Sequence, residues 1–117
     1  MWYSIYTVGD IDIDQEHANI DFMLSALPKE RSALRDALYP LIDVIIQHFS
    51  HEEEIAATQG YSMSGSHRAR HRELTRHLEV IKAGLGRAET DLQEIPRELQ
   101  NMLKLHILDF DRFLLSS

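Results

Sequence analysis

Seven side chains able to hold a metal, His17, His48, Glu52, His67, His71, His106 and Asp111, recur at spacings that a single cluster explains. His48 and Glu52 are four residues apart, as are His67 and His71, and in an α-helix that spacing puts both members of a pair on one face. All five histidines fall in or beside stretches of helical hydrophobic periodicity, where the inward face is otherwise apolar. Burying such a set is costly unless something coordinates it. Five imidazoles and two carboxylates suit two metal ions with one coordination position left open.

Taken singly, these residues say little. A lone helical histidine such as His17 or His106 is more often satisfied or solvated than a ligand. The pair His67/His71 says more, because two imidazoles one turn apart can grip one ion. It is not the zinc-protease helix, since His67-Arg-Ala-Arg-His71 lacks the Glu that follows the first His there. No Glu-x-x-His occurs in the chain, so a carboxylate-rich site of the ferritin type is not indicated. What remains is a histidine-rich site with Glu52 and an acid near the C-terminus as bridges. His51 and His77 fall off the stripes and read as surface residues, as do Glu53 and Glu54. Met23, Met63 and Met102 read as core or gap fillers rather than thioether ligands.

Composition narrows the chemistry further. The absence of cysteine excludes a disulfide, a thiolate zinc site, an iron–sulfur cluster and a cysteine nucleophile. Any metal must be held by nitrogen and oxygen, which suits zinc, iron, manganese or copper. A net charge of −7 argues against nucleic acid or an anionic membrane surface as partner. No apolar run is long enough to span a bilayer, and MWYSIYTVGD lacks the features of a signal peptide, so a cytoplasmic location is expected.

The elements that must position these residues are helices. The first dozen residues read as an extended arm, with Asp14 as N-cap of a helix whose stripe is His17, Ile20, Leu24 and Leu27 and which Pro28 breaks. A second stripe over about 32–57 carries Leu34, Leu38, Leu41, Ile45, His48, Glu52 and Ile55. Pro40 within it predicts a kink or a later start. Ser62 to Ser66 read as a loop. The third stripe is His67, His71, Leu74, Leu78, Ile81 and Leu85, ending at Gly84 and Gly86. Thr90-Asp91-Leu92-Gln93 has the form of a capping box, and Leu99, Leu103, His106, Phe110 and Phe113 carry the last stripe. Short connections between four helices predict an all-α, antiparallel up-down-up-down four-helix bundle with an extended N-terminal arm, one domain over 1–117.

The order His17, His48-Phe-Ser-His-Glu52, His67-Arg-Ala-Arg-His71 and His106-Ile-Leu-Asp-Phe-Asp111 resembles the ligand set of the hemerythrin family. Trp2, Tyr6-Thr-Val-Gly9, Ile13-Asp14, His48-Phe49 and Glu52-Glu53 extend the likeness over essentially the whole chain. The resemblance implies a non-haem di-iron centre, two ions cycling between Fe2+ and Fe3+ with a bridging oxo or hydroxo group. His67, His71 and His106 would hold one iron and His17 and His48 the other, with Glu52 and Asp111 bridging. The two-histidine iron would keep the open position at which dioxygen binds reversibly, and Ile20, Phe49 and Leu103 would wall the pocket. Ser62 after Tyr61, Ala56 and Met102 depart from the residues common in the family. Regular helical geometry favours Asp109, three residues from His106, over Asp111 at five; the family pattern implies Asp111, and hence a local break in the helix between 106 and 111. The expected function is oxygen binding without catalysis, for storage, delivery or sensing. The alternatives are a di-iron peroxidase, a nitric oxide or oxygen detoxifying enzyme, and an iron-dependent regulatory module.

Overall fold

The computed structural model describes residues 8–116. Trp2, Tyr6, Thr7 and most of the expected N-terminal arm lie outside the described residues. Among the described residues four α-helices form an antiparallel bundle: α1 Ile11–Ser25, α2 Arg31–Gln59, α3 Gly65–Gly84 and α4 Ile95–Asp109. Short 3-10 segments follow at Leu92–Glu94 and Asp111–Ser116. The long α2 packs on both α1 and α3, and α1 closes against α4.

The first helix begins earlier than Asp14. Asp10 is the N-cap, its carboxylate accepting from the amides of Asp12 at 3.0 Å and Ile13 at 3.1 Å. Burial pushes the Asp10 carboxyl up, but hydrogen bonds from the Tyr61 hydroxyl and the Ile13 and Asp12 amides overcome this and leave it below the ordinary value. Asp14 instead reaches back one turn and accepts from the amides of Val8 at 2.8 Å and Gly9 at 3.1 Å. The incoming chain turns at Gly9, whose φ of 103° lies in the region that glycine alone enters freely.

Pro40 sits inside α2, where it removes one N–H from the helical ladder, yet the helix runs from Arg31 rather than starting late. Gly60 ends it in the left-handed conformation, φ 76° and ψ 20°. The Ser64 hydroxyl then accepts from the His67 amide at 3.0 Å, so Gly65 and Ser66 belong to the first turn of α3 and not to a loop. The expected capping box at Thr90 does not form. Thr90 donates its hydroxyl to the Gly84 carbonyl at 2.6 Å, and the 3-10 turn after Asp91 has no side-chain cap.

Each helix buries one stripe, and each stripe changes character along its length. In α2 the buried positions Leu34, Leu38, Leu41, Ile42 and Ile45 give way to His48, Phe49 and Glu52. In α3 His67 and His71 precede Leu74 and Leu78, while in α4 Ile95, Leu99 and Leu103 precede His106. Antiparallel packing therefore gathers the starts of α1 and α3 with the ends of α2 and α4. One end of the bundle becomes an apolar core and the other a buried nest of imidazoles and carboxylates. Met63 is buried and Met23 and Met102 pack against the core, as filler residues would.

The end of α4 breaks helical geometry. The α-helix stops at Asp109, Phe110 takes φ −130° and ψ −61°, and Asp111 opens a 3-10 segment. Phe113 consequently leaves the stripe that was expected to bury it and is 50% exposed, while Leu114 packs inward.

Candidate metal centre

His17, His48, Glu52, His67, His71, His106 and Asp111 are all buried and converge at the polar end of the bundle. Their ligand atoms form two overlapping groups: Glu52, His67, His71, His106 and Asp111, and His17, His48, Glu52 and Asp111. Within each group the atoms lie within 4.8 Å of one another. The five imidazoles present Nε2 to the centre. His17 and His48 bring these nitrogens to 3.1 Å, and His71 and His106 to 3.0 Å. Two nitrogens about 2.1 Å from one ion and about a right angle apart would stand about 3.0 Å from each other.

The two carboxylates are divided between the groups oxygen by oxygen. Glu52 turns Oε1 to His67 at 2.9 Å and His71 at 3.1 Å, and Oε2 to His48 at 3.5 Å. Asp111 turns Oδ1 to His67 at 2.9 Å and His106 at 3.0 Å, and Oδ2 to His17 at 3.3 Å. Glu52 Oε2 and Asp111 Oδ2 are buried, and their contacts miss hydrogen-bond geometry. A carboxylate shared by two cations would be disposed this way. The break at Phe110 is what turns Asp111 inward, because on a regular helix it would point about 140° away from His106. Asp109 remains exposed.

Outside the cluster, two further carboxylates hold imidazoles from behind. His48 Nδ1 donates to Glu16 Oε1 at 2.7 Å, and His71 Nδ1 to Glu53 Oε2 at 2.8 Å. With the ring proton on Nδ1, each Nε2 lone pair faces a carboxylate oxygen of Glu52. That arrangement is repulsive unless a proton or a metal lies between them. The electrostatics agree. Burial lowers the His48 pKa, but Glu16 and Glu52, then Asp111, hold it up at about 10. Burial likewise opposes His67, which Asp111 and Glu52 raise to about 9, and the same two acids raise His106. Burial pushes Glu52 up, and its contacts with His106, His48, His67 and His71 hold it well below the ordinary carboxylate range. Asp111 is also held low, against both burial and the charge of Glu52. The pocket is built around positive charge.

Aromatic rings pack against the three-histidine side. Phe49 stacks on His71 at 4.8 Å between centroids, and Phe110 stacks on His67 at 5.1 Å. Of the expected pocket walls, Ile20 lies with His48 in a cleft of about 230 Å³ between α1 and α2. Phe49 lies with His71 in a different cleft between α2 and α3, and Leu103 is buried in the core. His77, which bonds Glu98 at 2.8 Å, and His51 are about half exposed, as surface residues should be.

Glu16 and Glu53 were missed by the sequence pattern. Each is next to a cluster residue, His17 and Glu52, and so points about 100° away from the buried stripe. Periodicity alone therefore assigns both to the solvated face. Their partners are on neighbouring helices, and only the register between helices reveals the contact.

A buried five-imidazole, two-carboxylate cluster across four antiparallel helices defines a class of helical metal-binding protein. The profile of the Hemerythrin HHE cation binding domain matches residues 9–115, and the chain belongs to the hemerythrin family. It is 31% identical over 103 residues to a hemerythrin-like protein of Naegleria gruberi, covering 88% of this chain and 83% of that protein. It is 26% identical over 116 residues to a bacteriohemerythrin of Pseudomonas paraeruginosa, covering 95% of this chain and 76% of the relative. No solved structure gives a significant match. Among the described residues, no helix is long and apolar enough to cross a membrane.

Proposed function

We propose that this chain is a hemerythrin domain that holds two iron ions and binds dioxygen reversibly. His67, His71 and His106 would hold one iron and His17 and His48 the other, with Glu52 and Asp111 shared between the two groups. The observation that carries this reading is the division of the two carboxylates, with Glu52 Oε1 and Asp111 Oδ1 turned toward His67, His71 and His106, Glu52 Oε2 toward His48 and Asp111 Oδ2 toward His17. A pair of ferrous ions, when bound, supplies the two electrons needed to hold dioxygen. With three imidazoles in one group and two in the other, a small ligand would be accommodated on the His17/His48 side.

The chain's own contribution is binding, orientation and exclusion of water. The neutral imidazoles limit the negative charge to two carboxylates, which keeps a ferrous pair accessible. Ile20 and His48 line the α1/α2 cleft on the two-histidine side, and a small ligand would meet the centre there. A dry site favours return of the ligand unchanged over its protonation and loss.

The test is the absorption spectrum of anaerobic ferrous protein, recorded before oxygen, after oxygen and after degassing. A visible band that forms with oxygen and disappears on degassing supports the proposal. A protein that takes no iron, or that consumes peroxide or nitric oxide over many cycles with a reductant, would replace it with another metal or with an enzymatic role.

A further inference from the structure

Glu16 belongs to neither ligand group, yet this half-buried residue makes the closest contact to any imidazole of the cluster from outside it. Its carboxylate reaches from α1 to two histidines of α2. Oε1 accepts from His48 Nδ1 at 2.7 Å, and Oε2 accepts from His51 Nδ1 at 2.9 Å. The three side chains thus run from the bundle surface, where His51 is 53% exposed, to a ring nitrogen of a buried cluster residue. Glu53 makes the corresponding bond to His71, so each histidine group has one ring backed by an acid. His106 shows what the alternative looks like, since its Nδ1 is buried without a hydrogen-bond partner.

An imidazole fixed at Nδ1 by a carboxylate has its tautomer and ring plane set, and its Nε2 becomes a better donor. In the two-histidine group this matters more than in the other. With two imidazoles rather than three, the loss of one oriented ring removes half of that group's nitrogen ligands. Because His51 occupies the second oxygen, Glu16 is held from both sides and has little freedom to swing away from His48.

We infer that Glu16 is a positioning residue for the two-histidine half of the centre, holding His48 with its Nε2 turned inward and so setting the affinity of that half for its ion. The inference rests on the two-ion reading above. Outer carboxylates of this kind change metal affinity by about 10–100-fold when removed.

The experiment is anaerobic titration of chelator-stripped protein with cobalt(II), in competition with a chelator, for the wild type and for Glu16→Ala, Glu16→Gln, Glu53→Ala and His51→Ala. The wild type should take up two equivalents. In Glu16→Ala one of the two steps should weaken by about 10–100-fold while the other is unchanged. Glu16→Gln should recover most of the loss, because its amide oxygen still accepts from Nδ1–H. Glu53→Ala should weaken the opposite step. His51→Ala, which breaks the outer half of the link between α1 and α2 and leaves His48 held, should leave both steps in place. Equal weakening of both steps in Glu16→Ala, together with a matching fall in the melting temperature of the metal-free form, would reduce Glu16 to a helix fastener and overturn the inference. Two unaltered steps in Glu16→Ala would overturn it alone. A wild type that takes up a single cobalt would overturn the two-ion reading and the inference with it.

Discussion

Melting the iron-loaded protein at a series of free ferrous concentrations measures how many ions the cluster holds. An ion that binds only the folded chain stabilises it by about 1.4 kcal/mol for each tenfold rise in free ion above saturation. The structure offers two overlapping ligand groups joined through Glu52 and Asp111. Two saturated sites therefore add about 2.7 kcal/mol per tenfold rise. A chain of 117 residues unfolds with an entropy of about 0.25 kcal/mol/K near its midpoint. The melting temperature should then climb by about 11 °C per decade of free iron, against about 5 °C for a single ion. Anaerobic circular dichroism at 222 nm (about the usual helical wavelength for an α-rich bundle), with iron buffered by a competing chelator, reads this slope directly. A slope near zero would mean that the cluster is not a metal site, and one near the single-ion value would refute the division of the carboxylates between two ions.

Three further outcomes follow from particular contacts. Asp111→Asn should abolish loading of both ions or shift the spectrum of the loaded protein, whereas Asp109→Asn, on the exposed side of the break at Phe110, should leave both intact. His48 and His67, held at about 10 and about 9, carry protons at pH 7 before metal binds. Being raised, they stabilise the metal-free fold fully below their ordinary value, and that contribution fades as the pH climbs through 9 and 10. Metal loading at neutral pH should therefore release protons and weaken as the pH falls, which calorimetry in buffers of differing ionisation enthalpy will show. Asp10→Ala removes the cap of α1 and should cost about 1 kcal/mol in chemical denaturation at neutral pH. Because the Asp10 pKa is depressed, its contribution is present above the ordinary value of 3.8 and is lost as the pH falls through the folded value, so mutant and wild type should converge in acid.

The helices and the inward stripe were readable in the sequence because burial of one face imposes the 3.6-residue period directly on residue type. Leu34, Leu38, Leu41, Ile45, His48 and Glu52 show it, and all are buried. Helix ends were less readable. Asp10 and Asp14 are equally good caps on local chemistry, and the choice between them rests on the turn at Gly9 and on a hydroxyl from Tyr61, far along the chain. The capping box at Thr90 failed for a similar reason, since Thr90 is turned back to donate its hydroxyl to the Gly84 carbonyl on α3. Asp111 could be chosen over Asp109 only by likeness to a family, because a regular helix points the wrong one inward. Glu16 and Glu53 were invisible to periodicity because their partners lie across helix boundaries, and interhelical register is a property of packing rather than of any single stripe.

Oxygen stoichiometry tests a reversible two-iron centre most directly. Ferrous protein of known iron content should be titrated with dissolved oxygen at an electrode and then degassed. One dioxygen taken up per two irons, and returned on degassing with the iron ferrous again, is the predicted result. Uptake that continues with a reductant, or no uptake by a protein carrying its full iron, would contradict it.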